Sequence, residues 1–129
     1  MEKMFASAKD LKEGKYVIID DIPCRVVNIE KSKPGKHGAA KMRVTAIGVF
    51  DEQKKVLLVP SDADIEVPII ERKTAQIVSM SGNTAQLMDT ESFETYEIAI
   101  PQEMQSEAAA GKEAEIMEAL GRKVITRIR

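Results

Sequence analysis

Short apolar runs separated by polar turns make up the first half of the chain. Runs of four to nine residues that are rich in Val and Ile predict strands, and Asp, Pro and Gly clusters between them predict turns. The predicted strands span residues 16–19, 23–29, 42–50, 55–59 and 65–69. Five short strands with polar turns and little helix predict a small closed or nearly closed β-barrel.

The second half has a different order of elements. Strands are predicted at residues 74–80, 85–88 and 93–98, and Pro101 then opens a helical segment over residues 102–110 that stops at Gly111. Two final strands, 115–120 and 123–128, follow. Three strands, a helix and two strands is the order of an OB-fold. The chain is thus predicted to be mainly all-β with one short helix.

The junction between the two halves is placed at residues 69–73. Pro68 and the charged run Glu71-Arg72-Lys73 interrupt the β pattern there. The predicted domains are therefore residues 1–70 and 71–129. Each would have a thin core, because domains of about 60 residues bury only about 60% of their unfolded surface.

Composition narrows the class of protein. Hydrophobic residues make up 43% and charged residues 31% of the 129 residues, as in ordinary globular proteins. The single cysteine, Cys24, excludes an internal disulfide, and its apolar surroundings predict a buried core residue. Because no stretch resembles a signal peptide or reaches the ~20 apolar residues of a membrane span, we expect a cytoplasmic protein.

Basic charge is concentrated in one segment. Residues 1–70 carry a net charge of +1 and residues 71–129 a net charge of −3, within a total of −2. Residues 31–43 contain five basic residues and no acid; these are Lys31, Lys33, Lys36, Lys41 and Arg43. A local concentration of positive charge suits contact with phosphate groups.

The chemistry-bearing residues do not indicate an enzyme. A Walker A loop needs Gly, four residues, and then Gly-Lys-Ser/Thr, but here Glu30 holds the first position and His37 the last. One His and one Cys are too few for a structural zinc site, and nothing in the sequence brings Cys24 and His37 together. We therefore expect neither a catalytic residue nor a bound metal.

The centre of the basic segment reads Gly35-Lys36-His37-Gly38. Glycine on both sides frees the backbone from β-carbon restrictions, so that the tip between two strands can present Lys36 to another macromolecule. Lys33 and Lys41 could contact phosphate without reading bases. The plain alternative is that the lysines only keep a hairpin tip soluble.

In the second half, Phe93 and Tyr96 could stack on bases, but a packing role is at least as consistent with the sequence.

The segment from Ser32 to Lys41 strongly resembles the translation initiation factor 5A family, the archaeal and eukaryotic counterpart of bacterial elongation factor P. The resemblance covers nearly the whole chain and includes residues 14–20, 23–27, 70–76, 86–89 and 118–121. The short N-terminus resembles archaeal members, and Pro34 stands where many eukaryotic members have threonine. The resemblance implies an N-terminal SH3-like barrel followed by a C-terminal OB-fold.

The resemblance also implies a function. Lys36 matches the lysine that deoxyhypusine synthase modifies by transferring an aminobutyl group from spermidine, giving deoxyhypusine or, after hydroxylation, hypusine. Lys33, Gly35, His37, Gly38 and Lys41 would present that residue and contact RNA. The factor would bind the ribosome, place the modified side chain beside the acceptor end of the peptidyl-tRNA, and relieve stalling by positioning. No other cofactor is implied.

Two other functions remain open from the residues. A two-domain RNA-binding or RNA-chaperone module could use the basic loop without modification, and its affinity would then depend steeply on salt through all five basic residues. A purely structural assembly protein would tolerate substitutions in the loop.

Overall fold

The computed structural model describes residues 3–32 and 40–129. Contacts within the chain divide it into two compact units, Met1–Ile69 and Ile70–Arg129. Both are built from antiparallel strands that form curled sheets, an SH3-like fold in the first unit and an OB-fold in the second. The mainly all-β fold class expected from the sequence is confirmed.

The first unit contains six strands in its described residues. They are β1 (Lys3–Ser7), β2 (Tyr16–Ile19), β3 (Ile22–Lys31), β4 (Lys41–Gly48), β5 (Lys54–Pro60) and β6 (Asp64–Pro68). β2 to β5 form one sheet in sequence order, and β1 pairs with β6 in a second sheet. A single 3₁₀ turn, Ala8–Asp10, follows β1.

The side chains of β4 alternate strictly between the core of the first unit and the outer face of its sheet. Met42, Val44 and Ala46 are fully buried in the core, because successive side chains of a strand point to opposite faces. The residues between them therefore point outward, and Lys41 and Arg43 are exposed. The core-facing positions thus fix the outer face on which those two cations lie.

Strand β1 is absent from the sequence prediction, which found five strands in this half. Lys3, Met4 and Phe5 are all exposed, so the strand has no buried face to give an alternating pattern. It exists because it pairs along its whole length with β6, from Lys3 opposite Pro68 to Ser7 opposite Asp64. Pairing with a strand so distant in sequence leaves no local signal.

The second unit is one five-stranded antiparallel sheet that curls around its own core. Its strands are β7 (Glu71–Ser81), β8 (Thr84–Asp89), β9 (Thr95–Ala99), β10 (Glu113–Ala119) and β11 (Arg122–Ile128). Their order in the sheet is β11-β10-β7-β8-β9. The core is aliphatic, with Ile77, Leu87, Ile116 and Ile125 at most 1% exposed.

The predicted helix over residues 102–110 is wrong in extent. Only Gln102–Met104 is helical, as a 3₁₀ turn, and its hydrogen bonds have the i to i+3 spacing, such as Met104 N–H to the Pro101 carbonyl at 2.9 Å. Nine residues are too few for a helix to be stable without packing, and only Met104 and Ala108 of this stretch pack against the core. Within the described residues, no helix is long and apolar enough to cross a membrane.

The charged run Glu71-Arg72-Lys73 does not interrupt the β pattern as predicted. All three residues belong to β7, which begins at Glu71, and they pair with β10. The charge is tolerated because Lys73 Nζ lies 3.5 Å from Glu118 Oε1 on β10. A cross-strand ion pair therefore supports a strand where the sequence alone indicated a break.

Candidate nucleic-acid interface

Strands β3 and β4 pair antiparallel over a long stretch. Hydrogen bonds connect the end of β3 to the start of β4, next to the segment 33–39. The Ser32 N–H donates to the Lys41 carbonyl at 2.9 Å, and the Lys41 N–H donates to Ser32 Oγ at 3.1 Å. The Ser61 N–H also donates to the Ala40 carbonyl at 2.7 Å. These hydrogen bonds fix Ser32, Ala40 and Lys41, which are the described residues on either side of the segment.

The outer face of the β3–β4–β5 sheet carries four cations. Directly paired residues of an antiparallel sheet share a face; Arg43 on β4 lies opposite Leu58 on β5, and Ile47 lies between Arg25 on β3 and Lys54 on β5. Lys41 lies at the end of β4 nearest the segment 33–39 and faces Pro60. The cations on this face are Lys41, Arg43, Arg25 and Lys54.

None of these four cations forms an ion pair with a residue in the described part of the first unit. The one acid in the same cross-strand rows, Glu30 opposite Arg43, accepts a hydrogen bond from the Asn28 amide at 3.4 Å. Exposed cations without a carboxylate partner are free to neutralise phosphates, and each phosphate contact releases condensed counterions. The face is therefore suited to a polyanion.

Exposed aliphatic side chains lie among the cations. Leu58 is 68% exposed and Val56 is 40% exposed, both on β5. They lie opposite Arg43 and Thr45 of β4. The face thus combines charge with apolar contact area, as surfaces that bind macromolecules do.

The segment at the centre of the sequence prediction lies outside the described residues. This applies to Lys33, Gly35, Lys36, His37 and Gly38, whose proposed roles stay predictions. Lys41 is described: it is exposed, begins β4 and points to the basic face. Of the residues proposed for the loop, Lys41 is therefore the one whose surroundings the structure describes.

Two protein-family models match successive parts of the chain. Residues 3–63 match the model described as "Translation initiation factor 5A-like, N-terminal", and residues 69–129 match "Eukaryotic elongation factor 5A hypusine, DNA-binding OB fold". The chain belongs to the translation initiation factor 5A family.

Relatives in this family match over almost their entire length. A translation initiation factor 5A from Methanocella arvoryzae is 53% identical over 93% of this chain and 94% of its own, and one from Archaeoglobus fulgidus is 50% identical over 98% of both. A solved structure, the eukaryotic translation initiation factor 5A from Methanococcus jannaschii, superposes with a TM-score of 0.93 at 41% identity, covering 99% of this chain and 96% of that one. The resemblance inferred from the sequence is confirmed.

The two aromatic residues considered for base stacking in the OB unit have different surroundings. Tyr96 packs against the core, and Lys123 Nζ lies 4.8 Å from the centre of its ring. Burial, with Asp89 and Glu118 nearby, raises the pKa of Tyr96 to about 12. Phe93 is 68% exposed, so the packing role is wrong for Phe93.

Cys24 does not form a reactive site. It is fully buried, its thiol donates to the Ile22 carbonyl at 3.3 Å, and burial raises its pKa. A thiol whose pKa is raised is largely un-ionised and a poor nucleophile. Among the residues that the structure describes, no group of His, Cys, Asp and Glu side chains could hold a metal ion.

Sequence reasoning missed part of the basic face. Arg25 and Lys54 lie outside the basic segment 31–43, and the strand register places them on the same face as Lys41 and Arg43. A β-bulge between Val26 and Asn28 shifts that register. Alternation along β4 and β5 could have indicated the outward positions, but not which of them are neighbours.

Proposed function

We propose that this chain is a translation factor that binds the ribosome near the acceptor end of the peptidyl-tRNA and promotes peptide-bond formation through a hypusine-type modification of Lys36. Membership of the translation initiation factor 5A family supports the role in translation. The observation that carries the RNA contact is the basic sheet face, whose cations have no ion pair within the described residues and which ends at Lys41, close in sequence to Lys36.

The modification would change what the side chain can reach. Deoxyhypusine synthase would transfer the aminobutyl group of spermidine to the ε-nitrogen of Lys36, with release of the remaining diamine portion. The arm becomes longer and gains a second cationic amine at its tip. Such a tip can contact a phosphate or ribose beyond the range of an unmodified lysine, so that it holds the acceptor end in a reactive geometry.

The sheet face would supply the rest of the binding free energy. Lys41 and Arg43 lie on the strand that leaves the modified segment, and contacts from these cations to the RNA backbone would orient the factor without reading sequence. Catalysis stays with the ribosome, and the factor contributes by positioning. The unmodified RNA-binding module is the competing function.

Intact and peptide-level mass spectrometry of protein purified from its native cells tests this proposal. We expect an added aminobutyl group on Lys36, with or without one oxygen. Lys36→Arg keeps a positive charge but blocks the modification, and should lose relief of stalling on proline-rich messages. Lys33→Arg is the matched control and should be modified and active.

Native protein without the modification, or full activity of Lys36→Arg, would remove the proposed mechanism. The RNA-binding module would then take first place, provided that binding to ribosomes still depends on all of the basic residues.

A further inference from the structure

The turn between β8 and β9, residues 90–94, presents an aromatic side chain to solvent. Phe93 at the end of this turn is 68% exposed. Its φ is +63°, in the left-handed region that glycine and asparagine occupy most readily. A bulky aromatic residue is therefore held in an unfavourable backbone conformation while its ring has little contact with its own fold.

Hydrogen bonds lock the turn in this conformation. Asp89 is only 7% exposed, and its Oδ1 accepts the N–H groups of Glu91 at 2.8 Å and Ser92 at 2.9 Å. The Phe93 N–H donates to the Asp89 carbonyl at 3.0 Å, and the Asp89 N–H donates to the Glu94 carbonyl at 2.9 Å. The exposed ring is thus carried on a rigid support, which lowers the entropy lost when a partner binds.

The charge around the turn selects the class of partner. Residues 74–111 contain six carboxylates and no lysine or arginine, and Glu91 and Glu94 flank Phe93 within the turn. The outer positions of β8 and β9 beside the turn are uncharged or acidic, as in the pair of Gln86 and Glu97. An aromatic ring between two carboxylates suits a lysine- or arginine-rich protein segment.

A cleft beside the turn marks where the acidic surface ends. It has a volume of about 470 Å³ and is lined by Thr90, Glu91 and Ser92 of the turn and by residues of β7, β10 and β11. Of the cations on its walls, Arg129 pairs with Glu115 and Lys73 with Glu118, while Arg72 has no ion pair in the described part of the chain. Because Arg72 leaves positive charge in the cleft, a cationic partner would contact Phe93 and the two glutamates and leave the cleft empty.

We propose that the β8–β9 turn is a docking element for a basic protein of the ribosome, with Phe93 as its anchor and Glu91 and Glu94 as the charged rim. The inference rests on the proposed function for its setting. It assigns different partners to the two units: RNA to the basic sheet face of the first, and a cationic protein surface to the turn of the second.

The test measures equilibrium binding of the labelled full chain and its variants to purified ribosomes from the native cells, at one fixed salt concentration. Phe93→Gly removes the ring and suits the backbone conformation, so that it should fold at least as well as wild type. We expect it to bind about tenfold more weakly, the effect of losing one anchor residue. Val78→Thr is the control, since Val78 is 48% exposed on β7 of the same unit.

The charge reversal Glu94→Lys separates protein from RNA. It should weaken binding if the partner is cationic and tighten binding if the partner is RNA. A photo-crosslinking benzophenone side chain at position 93 should correspondingly give an adduct that protease removes and ribonuclease does not.

Equal binding of Phe93→Gly and Val78→Thr, tighter binding of Glu94→Lys, or an RNA adduct would each overturn the docking element while leaving the proposed function intact. Absence of binding by the wild-type chain would instead overturn the proposed function and, with it, this inference.

Discussion

Lys73 and Glu118 join two strands of the OB unit, with the Lys73 Nζ 3.5 Å from Glu118 Oε1. The same oxygen lies 3.4 Å from Lys123 Nζ on β11, and that ammonium lies over the Tyr96 ring of β9. β9 and β11 are the two outermost strands of the sheet. The chain of contacts from Lys73 through Glu118 and Lys123 to Tyr96 therefore links the strands at which the curled sheet meets itself.

Replacing Glu118 tests whether this network stabilises the closed sheet. Glu118→Gln keeps the shape of the side chain but removes the charge that two ammonium groups share, leaving Lys73 with Glu71 at 3.7 Å. We expect a modestly lower melting temperature at low salt and a smaller difference at ~1 M salt, where the Debye length is about 3 Å. The control is Glu97→Gln, at an exposed position of β9. A loss of stability that is the same at both salt concentrations would argue against an electrostatic role.

Tyr96→Phe should not destabilise the protein, although Tyr96 packs on the core. The Tyr96 hydroxyl is buried without a hydrogen-bond partner among the described residues, and an unsatisfied buried polar group costs about 1–3 kcal/mol. Phenylalanine removes that cost and keeps the ring under Lys123. Urea unfolding should show equal or higher stability, by up to about 1 kcal/mol. Tyr16→Phe, at a half-buried position of β2, is the matched control. A clear loss of stability in Tyr96→Phe alone would mean that the hydroxyl has a partner.

The raised pKa of Tyr96 predicts how the free energy of unfolding changes at high pH. Its pKa is about 12 in the folded chain, raised first by burial and then by Asp89 and Glu118, and near 10 when unfolded. Since the unfolded chain loses this proton first, stability should fall as the pH rises from about 10 to about 12. Tyr96→Phe should remove that part of the slope. Ultraviolet titration of wild type against Tyr96→Phe should assign a late phenol ionisation to Tyr96; if Tyr96 ionises near pH 10, the burial argument is wrong.

The lowered pKa of Asp89 predicts that stability falls as the pH decreases in the acid range. The N–H groups of Ser92 and Glu91 hold the pKa of its carboxyl below the ordinary value of 3.8, against the effect of burial. A lowered pKa gives stability that is present above pH 4 and lost as the pH falls through the folded pKa. Asp89→Asn should therefore be less stable than wild type at pH 7, with the difference shrinking below pH 4. Melting temperatures at matched ionic strength measure this, and a constant difference across pH would exclude the charge as its cause.

Sequence patterns predicted the strands that have a buried face. Alternation in β4 and the apolar run in β2 reflect burial directly, so that both strands were found close to their observed ends. β1 and the start of β7 were not predicted, because their stability comes from pairing with distant strands. The Gly-Lys-His-Gly motif indicated the family from local sequence alone. The basic face and the exposure of Phe93 needed the register and the turn geometry, which no local pattern specifies.

Lys41→Gln tests the RNA contact on the first unit separately from the modified lysine. Lys41 is exposed, has no ion pair with the described residues, and lies at the end of the basic face beside the segment 33–39. If it contacts one phosphate, its loss should weaken ribosome binding uniformly across messages and reduce the slope of log K against log salt by about 1. Binding titrations at several salt concentrations measure that slope.

Lys12→Gln is the matched control, because Lys12 is an exposed lysine of the same unit that lies outside the β3–β4–β5 sheet. It removes the same charge from the unit, so any effect of net charge alone appears equally in both variants. An unchanged slope in Lys12→Gln with a reduced slope in Lys41→Gln places the phosphate contact on the face. Equal reductions would show that the ribosome senses only the overall charge of the unit, and the basic face would then lose its role as the RNA-binding surface.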